Sequence, residues 1–202
     1  MKIKICGITQ ADNAREVALL GIDAVGLVFY EQSPRHVDVE SAIQVVNALP
    51  PFINRVGLFV NADSGFIDEV LCEVPIDTLQ FHGDESVIEC TQYGMPFIKA
   101  LRVNENTNIA KMADDYHQAS GLLLDAFNKD AYGGTGEQFD WSLAKVDIDL
   151  PIILAGGLNP DTVADAIAQV NPYAVDVSSG VESEPGIKDI VKIQQFIHKV
   201  RS

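Results

Sequence analysis

Short apolar runs rich in β-branched residues recur along the chain, and the stretches between them carry helical spacing. The runs are KIKIC (2–6), DAVGLVF (23–29), INRVGLFV (53–60), DTLQF (77–81), PFIKAL (96–101), GLLLDA (121–126), PIILA (151–155) and YAVDVSS (173–179). Each has the length of a strand, not of a helix. Between the first two, Ala14, Val17, Ala18 and Gly21 follow the i, i+3, i+4, i+7 spacing of one helical face. Thr9 is expected to cap that helix, with Asp12 three residues on as a loose capping box. In LNPDTVADAI the start signal is fuller: Asn159 as cap, Pro160 in the first turn and Asp161 at the positive end of the dipole. A last helix is expected from about Gly186 to Lys199, with Ile187, Ile190, Val191 and Ile197 on one side. The fifth and sixth helices are weakly marked, because NENTNIAKMADDYHQ is polar and DWSLAK is short.

Strands alternating with helices imply right-handed βαβ units and a parallel sheet. Eight such units in 202 residues match a closed (β/α)8 barrel, a single domain over residues 1–202. A doubly wound open sheet is the runner-up. It lacks a G-x-G-x-x-G fingerprint after the first strand.

Side chains alternate between the two faces of a strand. Placing Ile3 and Ile5 against the helices turns Lys4 and Cys6 into the barrel. The same parity sends Leu122, Leu124, Val175 and Val177 outward, and Leu123, Asp125, Asp176 and Ser178 inward. On the fourth strand Gln80 faces in and His82 reaches the upper rim. Polar residues thus gather at the carboxyl ends of the strands, where barrel enzymes of this kind keep their active sites. A carboxylate ending a run of three leucines needs a partner or a function, so Asp125 is the least easily explained by packing. Cys6 is followed by Gly7, a turn a core strand does not require. His82 has a bland alternative as the cap of the next helix. Lys4, one layer below Cys6, must be paired if buried, and Asp176 on the strand that closes the barrel is the expected partner.

Two glycine turns stand where a phosphate would sit: AGGLNPD after the seventh strand and SSGVESEPG after the eighth. Gly156, Gly157, Ser179 and Gly180 are the candidate anion ligands, because glycine turns ahead of a capped helix let backbone N–H groups converge. YGGTG (132–136) is a third cluster, either a further phosphate contact or a lid. Arg35, in QSPRHV, is the natural partner for a substrate carboxylate.

Charge sharpens this picture. A net charge of −15 with no basic stripe argues against nucleic acid, and the global field repels an anionic ligand, so local donors must do the binding. No apolar run approaches the ~18 residues of a membrane span, and no signal-peptide pattern opens the chain; a cytoplasmic location is expected. The three cysteines (Cys6, Cys72, Cys90) form neither a disulfide framework nor a metal pattern. Cys72 and Cys90 fall on helical faces and are expected to pack.

The motifs KICGIT, LVFYEQSPR, VGLFVN, LQFHG, LLLDA…YGGTGEQFDW, LAGGLNP and DVSSGVE…PG follow in order along nearly the whole chain. Together they closely resemble the phosphoribosylanthranilate isomerase family of tryptophan biosynthesis. The resemblance implies an Amadori rearrangement of a phosphorylated aminosugar, with no metal, cofactor or covalent intermediate. It gives Cys6 the role of general base and Asp125 that of general acid. It further places Arg35 at the anthranilate end and the seventh and eighth loops on the phosphate. Gln80, His82 and Asp176 complete the set expected to face substrate. Lys4 is expected to lower the Cys6 thiol pKa, and burial or a neighbouring carboxylate to raise that of Asp125. Alternatives are another phosphosugar barrel enzyme or a non-catalytic phosphate-binding barrel. Oligomeric partners are not legible.

Overall fold

The eight apolar runs become strands β1 (Lys2–Cys6), β2 (Ala24–Val28), β3 (Asn54–Phe59), β4 (Thr78–Phe81), β5 (Phe97–Val103), β6 (Gly121–Ala126), β7 (Ile152–Leu154) and β8 (Ala174–Val177). The structure, a computed structural model, describes residues 1–126 and 140–202; YGGTG (132–136) lies outside the described residues. All eight strands are parallel and close in chain order, with β8 returning to β1 in the register Lys4↔Asp176. Among the described residues seven α-helices surround them: α1 (Ala11–Ala18), α2 (Val39–Ala48), α3 (Ser64–Glu73), α4 (Val87–Thr91), α5 (Ile109–Asp115), α6 (Val163–Val170) and α7 (Ile190–Arg201).

Strand parity divides the core in two. Ile3, Ile5, Leu122, Leu124, Val175 and Val177 pack outward with the helices, whereas Leu123, Ile98, Ala100, Ile153, Ala155 and Ala174 fill the barrel. Leu122, Leu123 and Leu124 are all at 0% exposure, because β6 is covered on both faces. Each such leucine contributes about 1.5–3 kcal/mol of burial, which fixes the register that turns Asp125 inward.

The helix starts depart from expectation for local reasons. Thr9 does not cap α1: Gln10 occupies the cap position without a side-chain bond. The Thr9 hydroxyl instead donates to the Gly186 carbonyl at 2.8 Å. Asn159 does accept backbone N–H groups, from Asp161 and Thr162. It closes a turn containing Pro160, and α6 begins later, at Val163. The last helix starts at Ile190, where Asp189 accepts from Val191 and Lys192 N–H. The residues just before it form an antiparallel hairpin, β9 (Glu182–Glu184) with β10 (Ile187–Lys188). DWSLAK contributes only a short 3₁₀ turn, Trp141–Ala144. Cys90 packs as expected, but Cys72 is exposed.

Candidate active site at the carboxyl end of the barrel

One cavity opens at the carboxyl ends of the strands, and Cys6, Arg35, Gln80, His82, Asp125, Gly156, Gly157 and Asp176 all line it. β1 and β6 supply Cys6 and Asp125 from well-separated parts of the barrel wall, so a ligand in the cavity has one on either side.

The floor beside Cys6 carries the expected ion pair. Lys4 Nζ donates to Asp176 Oδ1 at 2.9 Å, and both side chains are buried. Gly26 on β2 makes the close packing there possible, for a Cβ at that position would sit 2.7 Å from Cys6 Sγ and 3.2 Å from Lys4 Nζ. The effect on the thiol differs from expectation. Burial pushes the Cys6 thiol up, Lys4 and Lys188 oppose that, Asp176 reinforces it, and the net direction is upward. The carboxylate that makes the buried lysine tolerable also acts against it on the sulfur.

Asp125 is buried beside His82, with Oδ2 3.3 Å from His82 Nε2. His82 is no helix cap, since Ser86 takes that role for α4 with a full capping box to Glu89. Gln80 Nε2 and His82 Nδ1 are hydrogen-bonded at 3.0 Å, which holds the imidazole ring beside Asp125. The loop behind His82 is held rigidly. Glu85 accepts from the N–H groups of Asn61 and Gly83 and pairs with buried Lys99 at 2.7 Å, while Tyr116 donates to its carbonyl.

Arg35 is buried, not a solvated loop arginine. Its Nε and Nη2 donate to the two oxygens of Glu182 at 2.8 and 2.7 Å. That fork fixes the guanidinium plane at the cavity wall. Glu182 comes from β9, an element the sequence pattern did not reveal.

The seventh and eighth loops touch. Gly156 and Gly157 both have positive φ, and their carbonyls are taken by Trp141 Nε1 and the Thr162 hydroxyl. Ser179 and Gly180 stand in a 3₁₀ turn after β8. A Cβ on Gly180 would lie 2.0 Å from the Leu158 carbonyl oxygen, so only glycine lets the two loops meet.

A closed parallel barrel with this polar mouth and glycine turns after its last two strands has the plan of enzymes that handle phosphorylated sugars. The family model described as N-(5'-phosphoribosyl)anthranilate (PRA) isomerase matches residues 3–199. The chain belongs to that family. The N-(5'-phosphoribosyl)anthranilate isomerase of Pseudomonas fluorescens (strain Pf0-1) is 54% identical over 201 residues, covering 100% of this chain and 98% of the relative. That of Thiobacillus denitrificans is 50% identical over 202 residues, with the same coverage. The phosphoribosyl anthranilate isomerase structure from Thermotoga maritima superimposes with a TM-score of 0.91 at 38% identity, covering 100% of this chain and 98% of that one. A phosphoribosyl anthranilate isomerase structure in complex with reduced 1-(o-carboxyphenylamino)-1-deoxyribulose 5-phosphate superimposes at 0.86 with 37% identity, again with 100% and 98% coverage.

Proposed function

We propose that Cys6 is the general base and Asp125 the general acid in the conversion of N-(5'-phosphoribosyl)anthranilate to 1-(o-carboxyphenylamino)-1-deoxyribulose 5-phosphate. The enzyme is an isomerase of tryptophan biosynthesis, and its substrate is a phosphorylated aminosugar. The observation that carries the residue roles is that the two side chains line one cavity from separate strands, β1 and β6.

The reaction needs only proton transfers. A proton from Asp125 goes to the ring oxygen as the C1–O bond breaks, and the nitrogen lone pair forms a Schiff base. Cys6 then takes the C2 proton, the electrons of that bond form C1=C2, and the C1=N π pair returns to nitrogen to give an enolamine. Tautomerisation of the enol to the ketone completes an isomerisation with no net gain or loss of atoms. A thiolate is the competent form of the base, so the cations around Cys6 matter to its rate.

Gly156, Gly157, Ser179 and Gly180 hold the phosphate through backbone N–H groups, the loop carbonyls of the first two being occupied elsewhere. Arg35 meets the substrate carboxylate, held in plane by Glu182. Gln80 and His82 orient Asp125, and Asp176 holds Lys4 beneath the base. The whole chain acts as one catalytic domain, in the cytoplasm; no helix among the described residues is long and apolar enough to cross a membrane.

Following anthranilate fluorescence during turnover tests the assignment. Cys6→Ser and Asp125→Asn are each expected to lower kcat by ~10²–10⁴-fold, with product affinity kept. Wild-type turnover in either variant removes that residue from its role.

A further inference from the structure

Lys188 is the buried charge that the catalytic roles above leave unexplained. Its side chain is at 0% exposure, and its ammonium lies 2.6 Å from Glu182 Oε1. It also donates to the carbonyl and hydroxyl oxygens of Ser178, each at 3.3 Å. The Ser178 hydroxyl in turn donates to the Cys6 carbonyl at 3.0 Å. Lys188 is fixed in place from its backbone, because buried Asn13 on α1 bonds both its N–H and its carbonyl, at 2.9 and 3.0 Å.

Among the described residues, buried cations gather near the sulfur. Lys4, Arg35 and Lys188 are buried there against two carboxylates, Asp176 and Glu182. Glu182 is shared, with Arg35 on one side and Lys188 on the other. Buried charge is costly unless paired, and Glu182 alone serves two of these cations. A thiolate at Cys6 would give Lys4 and Lys188 a further negative partner.

We propose that Lys188 is a positioning residue whose ammonium, held by the β9–β10 hairpin, stabilises the Cys6 thiolate and so sets the fraction of enzyme able to remove the C2 proton. The proposal rests on the reading of Cys6 as the base. Lys4 on the same strand, Asp176 on β8 and Lys188 on β10 act on the thiol, and Ser178, Arg35, His82 and Asp125 line the same cavity. The C-terminal hairpin therefore has one purpose at two points: Glu182 orients Arg35, and Lys188 supplies charge to the base.

The test is the pH profile of Cys6 alkylation by iodoacetamide in the full-length enzyme, read at the Cys6 peptide by mass so that Cys72 and Cys90 stay native. Lys188→Met is expected to move the profile to higher pH and slow alkylation near neutrality by ~10-fold, the equivalent of one pKa unit. kcat is expected to fall by a similar factor with a smaller change in KM, and Lys188→Arg to restore part of both. Glu182→Gln removes a negative charge and is expected to move the profile the other way, while raising KM through Arg35. A purely structural role moves both variants alike or neither. A wild-type Cys6 profile in Lys188→Met, or a change in KM alone, overturns the proposal. Should Lys188→Met not fold by circular dichroism, Glu182→Gln decides, and an unmoved or upward profile there overturns it. Wild-type kcat in Cys6→Ser would instead defeat the base role, while the alkylation profile would still report the field of Lys188.

Discussion

Lys4 Nζ lies 2.9 Å from Asp176 Oδ1 inside the barrel, with both side chains almost dry. The pair joins the first strand to the last at the register that closes the cylinder, two residues before Cys6 on β1. It serves the closure of the sheet and the electrostatics of the site together.

Removing one partner leaves a buried charge alone. Asp176→Asn is expected to destabilise the protein by about 3–5 kcal/mol, and Lys4→Met together with Asp176→Asn to recover much of that loss. Urea unfolding of the three variants measures it. A single variant as stable as the wild type would show that the ammonium finds another partner.

Gly26 is expected to tolerate no side chain. Gly26→Ala drives a methyl into Cys6 Sγ and Lys4 Nζ, overpacking that typically costs about 1–3 kcal/mol. Stability and kcat should fall together. A Gly26→Ala enzyme with wild-type kcat would mean that the sulfur can move without consequence.

Arg35→Ala is expected to act on binding. A charged hydrogen-bonding partner contributes about 1.5–3 kcal/mol, so KM should rise by ~10–100-fold with a much smaller change in kcat. Steady-state kinetics separates the two, and an unchanged KM would release Arg35 from the substrate.

Alkaline stability follows from the buried thiols. Burial pushes the Cys90 thiol up from 9.0 to about 12, and that of Cys6 also upward. Above the ordinary thiol value the unfolded chain has lost a proton that the folded protein keeps, so stability falls as pH rises from 9.0 toward about 12. One such thiol contributes a slope of up to ~1.4 kcal/mol per pH unit. Cys90→Ala is expected to reduce the slope of unfolding free energy against pH in this range. An unchanged slope would place the alkaline loss elsewhere.

The strands and their facing were legible because β6 and its neighbours are covered on both sides, which leaves short apolar runs whose parity is set by Ile3, Leu122 and Val175. From that parity followed the Lys4–Asp176 pair and the convergence of Cys6, His82 and Asp125. The β9–β10 hairpin was not legible: VESEPGIK is polar, and Glu182 and Lys188 acquire meaning only through Arg35 and Ser178, distant in sequence or hidden by the fold. Gly26 did carry a signal, since an isolated glycine inside a strand marks a close approach. The raised Cys6 thiol was missed because parity located Lys4 but could not weigh it against Asp176 and burial.

The most direct test of the acid–base pair is a single-turnover measurement with substrate carrying deuterium at C2. In the wild type the deuterium is expected to slow product formation and to be lost from C2 in step with it. In Cys6→Ser both rates are expected to collapse together while product still binds. Cys6→Ser that forms product at the wild-type rate, with the deuterium still leaving C2, would contradict a role for this sulfur as the base.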